Sequence, residues 1–205
     1  MSIQRRFRSA FTLAAFAVVL VVGDAAATPL ESPALQCTMY ASPSGSDASG
    51  DGSVTAPFAS VGKLDGALSP GQTGCLRAGT YGSTSSHIEL ANDGSALGQI
   101  TINSFPGETA TVRGWVDVEG SYTTLSHLSI DGSNSLYTQH PAGVSCPAPT
   151  SQPLTIAGHD DVLEYDDYSQ SVASLRGNGI GIGFWGNADN TIIRYDKIHD
   201  VGQCQ

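Results

Sequence analysis

Basic residues are scarce. Nine Lys and Arg stand against nineteen Asp and Glu, a formal net charge of −10. Three of the nine, Arg5, Arg6 and Arg8, crowd the first eight positions. Beyond residue 27 the count is six basic to eighteen acidic, a net charge of −12. No basic patch remains to neutralise phosphates, which excludes nucleic acid and anionic membranes as partners. An acidic polysaccharide is compatible with this balance when metal ions bridge the charges. Long apolar runs are equally sparse. The longest, Ala10 to Val22, falls short of the roughly 20 residues of a membrane span.

That run follows the basic cluster and leads to Ala25-Ala26-Ala27, a small-x-small cleavage pattern. Residues 1–27 therefore read as a secretory signal peptide, with the mature chain starting near Thr28 and no membrane segment after it. An uncleaved anchor is the alternative. The Arg5-Arg6 pair fits a twin-arginine signal poorly.

Cysteine is limited to Cys37, Cys75, Cys146 and Cys204. An even count in an exported chain points to two disulfides, and four cysteines allow three connectivities. The favoured pairing is Cys37–Cys75 with Cys146–Cys204. The alternative leaves Cys204 unpaired.

Long helical periodicity is absent. Only "SVGKLDGAL" reads as a helix, with Ser60 as N-cap and Val61, Leu64, Ala67 and Leu68 on one face. Pro70-Gly71 would stop it. Elsewhere short apolar runs alternate with Gly, Ser, Thr, Asn and Asp, the pattern of many short strands.

Three segments align without gaps: "SYTTLSHLSIDG" from Ser121, "HDDVLEYDDYSQ" from His159 and "DNTIIRYDKIHD" from Asp189. Their offsets, 38 and 30 residues, indicate a solenoid or a propeller. "QITINSFPGETATVRG" reads as an earlier, degenerate rung. A proline-rich stretch at 133–152 reads as a loop inserted between rungs, which solenoids tolerate. Strand periodicity turns Thr123, Leu125, Leu128 and Ile130 inward, then Asp161, Leu163, Asp166 and Tyr168, then Thr191, Ile193, Asp196 and Ile198. Asp161 fits an inward position poorly.

Tyr40 to Gly82 resembles the opening of secreted right-handed parallel β-helix proteins of the pectate-lyase-like superfamily. The shared parts are Ser42-Pro43-Ser44-Gly45-Ser46-Asp47, Pro57-Phe58, the helix from Ser60, and a Gly79-Thr80-Tyr81 turn. "NTIIRYDKIHDVG" resembles a rung of that group. The resemblance implies an all-β right-handed parallel β-helix. Residues 28–98 would form its cap and lead-in, and 99–205 its rungs. Such proteins usually continue for more rungs, so the chain is expected to be the truncated N-terminal part of one. A complete solenoid of this kind would be a monomer.

The matched register sets Glu164 beside Arg194, Asp167 beside Lys197, Tyr165 beside Tyr195 and His127 beside Tyr165. Cross-strand pairs of this kind stabilise a sheet without any further role. They also suit a polysaccharide or cell-wall glycan. Tyr165 and Tyr195 would contact sugars, and Arg194 and Lys197 a uronate carboxylate. The resemblance further implies a polysaccharide lyase or glycoside hydrolase. In the lyase case Lys197 is the candidate base and Glu164, Asp167 and Asp160 would hold Ca²⁺. Lys197, however, faces an acidic neighbour, which disfavours the neutral amine. A non-catalytic extracellular glycan-binding module, or a truncated product without independent function, are the rival expectations.

Asp166 and Asp196 occupy matched inward positions at a bend, where their oxygens would accept backbone N–H groups. Gly177, Gly179 and Gly181 have only the loose spacing of a phosphate loop, and the segment reads as a strand with Ile180 and Ile182 inward. The five histidines lack metal-ligand spacing. Asp117 and Glu119, alternating with Val116 and Val118, are expected to face solvent.

Overall fold

The structure is a computed structural model, and it describes residues 36–133, 154–170 and 181–201. The described residues begin with β1 (Met39–Ala41) and a loop closed by Asp47, whose Oδ1 accepts the N–H groups of Ala59 and Ser60 at 2.7 and 3.0 Å. Helix α1 (Val61–Asp65) follows, N-capped by Ser60, whose side chain accepts from the Lys63 N–H. It is shorter than its sequence pattern suggests. Asp65 turns inward instead of continuing the solvent face, and its Oδ2 accepts from Ala91 and Asn92 at 3.1 Å each. The chain leaves the helix at Gly66, well before Pro70, and Leu68 is buried by the turn that follows.

β2 (Thr73–Leu76), β3 (Gly79–Leu90), β4 (Ile100–Ser104) and β5 (Ala110–Val118) come next. The expected Gly79-Thr80-Tyr81 turn is the start of a twelve-residue strand. Gly79 supplies the positive φ of 135° at its beginning. Tyr81 is then buried, its hydroxyl donating to the carbonyls of Ala41 and Arg77 at 2.9 Å. β6 (Thr123–Ser126), β7 (Ser129–Asp131), β8 (Leu154–Ile156), β9 (Val162–Glu164), β10 (Asp167–Ser169), β11 (Ile182–Phe184), β12 (Ile192–Arg194) and β13 (Lys197–His199) complete the series.

Every pairing between these strands is parallel. One wall runs β1-β2-β4-β6-β9-β12. The other sheet forks at β5, which pairs with β7 through Thr111–Arg113 and with β8 through Val116–Val118. The fork falls at Gly114, where φ is 125° and a Cβ would lie 2.5 Å from the Ser86 carbonyl oxygen. A second wall then continues through β7, β10 and β13, and a third through β8 and β11. The fold is all-β, parallel and solenoid-like.

Successive circuits stack like on like. Ile102, Leu125, Leu163 and Ile193 are in register on the first wall. Val112, Ile130, Tyr168 and Ile198 are in register on the second, and Val116, Leu154 and Ile182 on the third. Burial of each Leu or Ile contributes about 1.5–3 kcal/mol. Ile193 and Ile198 extend the stacks but are 37% and 46% exposed, since no described strand lies beyond them.

Three details depart from expectation. Asp161 is fully buried, and its Oδ1 accepts the Thr123 N–H at 2.8 Å, so the apparent misfit is a bend acceptor of the same kind as Asp166. Asp117 is only 6% exposed rather than facing solvent, because His87 bonds to its Oδ2 at 2.8 Å from the neighbouring strand. Tyr165 and Tyr195 sit on corners between strands, not within them. Cys37 and Cys75 form the expected disulfide, with their Cα atoms 5.5 Å apart. Cys146, Cys204, Gly177, Gly179, Ile180 and nearly all of the 133–152 insertion lie outside the described residues. None of the described helices is long and apolar enough to cross a membrane.

Candidate functional site

Between the first and second walls the chain turns through two residues on each circuit: His127-Leu128, Tyr165-Asp166 and Tyr195-Asp196. The first of each pair is left-handed, with φ of 55°, 59° and 62°. A left-handed non-glycine residue costs roughly 1–2 kcal/mol. The conformation sends the first side chain outward and the second inward.

The inward members hold the corner together. The Leu128 N–H donates to Asp166 Oδ1 at 2.7 Å, and the Asp166 N–H donates to Asp196 Oδ1 at 2.9 Å. Burial pushes the Asp166 carboxyl up to about 8, with the charge of Asp196 adding to the effect. Burial also raises Asp196.

The outward members form a ring ladder. His127 and Tyr165 have centroids 4.9 Å apart with planes at 23°, and Tyr165 and Tyr195 are 4.9 Å apart at 16°. That spacing is close to the separation of neighbouring strands, so the rings lie face to face along the solenoid. Each such contact is worth about 0.5–1.5 kcal/mol. Both faces of Tyr165 are consequently covered. The ladder presents ring edges and hydroxyls to solvent, and Tyr195, 72% exposed, is more open than Tyr165 at 50%.

Charged rows flank the ladder. On the first wall, Glu164 and Arg194 are in register, with Oε2 accepting from Nη2 at 2.6 Å and from Nε at 2.8 Å. The bond to Glu164 holds the guanidinium above its ordinary range. On the second wall, Asp167 and Lys197 are in register and 3.3 Å apart. His199, two residues further along β13, reaches Asp167 Oδ1 through Nε2 at 2.7 Å and Asp200 through Nδ1 at 2.7 Å. Burial alone would raise Asp167, but hydrogen bonds from His199 and Lys197 bring it below the usual carboxylate range. Hydrogen bonds to Asp200 and then Asp167 raise His199.

The structure thus gathers Tyr165, Tyr195, Arg194 and Lys197 on one corner, with Glu164 and Asp167 as their ion-pair partners. Asp160 lies elsewhere, on the corner that leads into β9. Its carboxylate bonds to His159 Nδ1 at 2.7 Å and Asn190 Nδ2 at 3.2 Å. The bond from His159 holds it below its ordinary range. Glu164, Asp167 and Asp160 do not converge, and among the described residues no three His, Cys, Asp or Glu side chains gather around a point suited to a metal. His199 is the member of this charged row that the sequence reading missed. Its signal was the two-residue spacing from Lys197, which puts both on one face of a strand.

No protein-family model matches the chain. No curated protein matches it in sequence. Solved structures do resemble it in fold. Two crystal structures of the GH136 lacto-N-biosidase from Eubacterium ramulus align with TM-scores of 0.53 and 0.54 at 18% and 17% identity. They cover 79% and 80% of this chain and 34% of that protein. A rhamnogalacturonan lyase aligns with a TM-score of 0.50 at 15% identity, over 80% of this chain and 51% of that one. The chain therefore spans about a third of the first protein and half of the second.

Proposed function

We propose that this chain is part of a secreted, carbohydrate-active protein built on a right-handed parallel β-helix of the pectate-lyase-like kind, and that its exposed corner binds an anionic polysaccharide. The observation that carries the reading is the placement of Arg194 and Lys197 on either side of the exposed Tyr165–Tyr195 edge. Both cations are already ion-paired, to Glu164 and Asp167, so the corner offers directional charged donors beside aromatic hydroxyls rather than net positive charge. A glycan lying along the ladder would meet the hydroxyl donors of Tyr165 and Tyr195, whose ring centroids are 4.9 Å apart, and a planar guanidinium suited to carboxylate recognition. The fold resemblance to a glycosidase and a polysaccharide lyase agrees with a carbohydrate ligand. The Cys37–Cys75 disulfide agrees with an oxidising, extracellular location.

Binding fits the corner better than catalysis. A proton-abstracting base needs a free lone pair. Lys197 instead makes an ion pair with Asp167. The lyase reading keeps Lys197 as base and Ca²⁺ at Glu164, Asp167 and Asp160. It requires those carboxylates to release their present partners and converge when substrate arrives. Absorbance from unsaturated uronates, formed on polygalacturonate with Ca²⁺ and lost in Lys197→Ala, would establish it.

Affinity electrophoresis in polygalacturonate tests the binding reading. Retardation that disappears in the Arg194→Ala/Lys197→Ala double variant is the expected result. Migration identical with and without the polymer would refute it.

A further inference from the structure

A groove of about 270 Å³ runs between the start of α1 and strand β3, with Ser60, Gly62, Ser86, His87 and Glu89 among its walls. Among the described strands β3 pairs with β5 alone.

His87 lies flat on Trp115 of the next circuit, with centroids 3.8 Å apart and planes within 10°. One imidazole face is taken by this stack, which leaves the other face of this exposed, groove-lining ring uncovered by Trp115. The platform is fixed from behind. His87 Nε2 bonds to the buried Asp117 Oδ2 at 2.8 Å, and Trp115 Nε1 donates to Thr155 Oγ1 at 3.2 Å. Asp117 keeps its other oxygen, Oδ1, buried without a hydrogen-bond partner. Asp117 is thus a positioning residue for the ring.

Glu89 stands two residues along the same face of β3, about 7 Å away by strand geometry. It is exposed, and among the described residues it makes no hydrogen bond or ion pair. A flat ring face beside an uncommitted carboxylate suits a pyranose. The ring would carry the sugar's apolar C–H face, and the carboxylate would accept from two adjacent hydroxyls. No Lys or Arg lines the groove. Two carboxylates, Glu89 and Asp117, stand at the platform instead, which disfavours a uronate or phosphate.

We infer that this groove is a subsite for a neutral hexopyranose residue, with His87 as stacking platform and Glu89 as diol acceptor. It shares the ligand class of the corner proposed above and none of its residues.

The chain has two tryptophans, and Trp185→Phe leaves Trp115 as the only tryptophan, which is excited selectively over the tyrosines. That variant is titrated with glucose, galactose, N-acetylglucosamine and their β-linked oligomers, with polygalacturonate as the acidic control. The expected result is a saturable change with at least one neutral sugar and none with polygalacturonate. Glu89→Gln and His87→Ala should each weaken the response at least tenfold, and Arg194→Ala should leave it unchanged. Glu89→Gln is isosteric at an exposed site and decides the matter even if His87→Ala misfolds. No saturable response to any neutral sugar, or one that survives Glu89→Gln, would overturn the inference. A neutral-sugar response that persists while polygalacturonate retention proves indifferent to Arg194 would sink the corner reading and leave the groove standing.

Discussion

The backbone N–H of Leu128 donates to the carboxyl Oδ1 of Asp166, 38 residues later and one circuit on, at 2.7 Å. The Asp166 N–H repeats the arrangement with Asp196, 30 residues later, at 2.9 Å. A corner that cannot use regular strand pairing is thereby satisfied by side chains on the following circuit. Buried carboxyls are accordingly part of the solenoid's frame, and their protonation is linked to its stability.

The first prediction concerns pH. The Asp166 carboxyl is pushed from 3.8 up to about 8 by burial, and burial raises Asp161 and Asp65 to about 6. Between about pH 4 and 8 the unfolded chain has released these protons while the folded chain retains some of them. Stability should therefore fall as pH rises through this window. Asp166 alone contributes on the order of a few kcal/mol. Thermal unfolding should give a higher Tm near pH 5 than near pH 8.5. Asp166→Asn keeps the oxygen that accepts from Leu128 but cannot ionise, so it should flatten the profile. A profile that rises from pH 5 to 8.5, or one unchanged in Asp166→Asn, would contradict this account.

Much of this frame was legible in the sequence. Three segments that align without gaps fix the register of β6, β9 and β12 and of β7, β10 and β13. From register follow the Glu164–Arg194 and Asp167–Lys197 pairs, the ring ladder and the Leu125–Leu163–Ile193 stack. Parts resting on unaligned segments were not legible. β3 was legible only as a Gly79-Thr80-Tyr81 turn, because its register shifts between Gly82 and His87. Asp117 looks solvent-facing by alternation, and only its contact with His87, 30 residues earlier, shows otherwise. The bend at Asp166 and Asp196 was legible, but the left-handed φ values of Tyr165 and Tyr195 that turn both rings outward there were not.

The disulfide should matter through the unfolded chain. Cys37 and Cys75 are 38 residues apart and tie the N-terminal segment to β2. Loop-closure entropy for that separation amounts to about 4 kcal/mol. The Cys37→Ser/Cys75→Ser double variant should lose stability of this order in denaturant titration. A loss below about 1 kcal/mol would show that the reduced chain keeps this segment docked.

The left-handed corners set a test of backbone against side chain. At Tyr165, φ is 59° and the ring has neighbours on both faces. Tyr165→Gly relieves about 1–2 kcal/mol of backbone strain while losing two ring contacts of about 0.5–1.5 kcal/mol each. The two effects nearly cancel. Tyr165→Val loses the contacts and places a β-branched residue where φ is positive. It should be less stable than the glycine variant by at least about 1 kcal/mol. Equal stabilities of the two variants would mean that the corner relaxes away from its left-handed conformation.

The last prediction joins the charged row to the proposed ligand. His199 bonds to Asp200 and Asp167, and these bonds raise it above its ordinary 6.5. It shares a strand face with Lys197, whose Nζ is 3.2 Å from His199 Nε2. At mildly acidic pH the imidazolium adds positive charge beside Lys197, against the negative charges of Asp167 and Asp200. As pH climbs past the raised value, that charge is lost and the row turns net negative. Retention by polygalacturonate should therefore be stronger at pH 6 than at pH 8.5. His199→Gln should remove most of this difference and leave binding at pH 8.5 nearly unchanged. The polymer's carboxylates are ionised throughout this range, so the ligand contributes no slope of its own. Lys197→Ala, by contrast, should weaken retention at both pH values. A difference between pH 6 and 8.5 that survives His199→Gln would assign the pH dependence to a group other than His199.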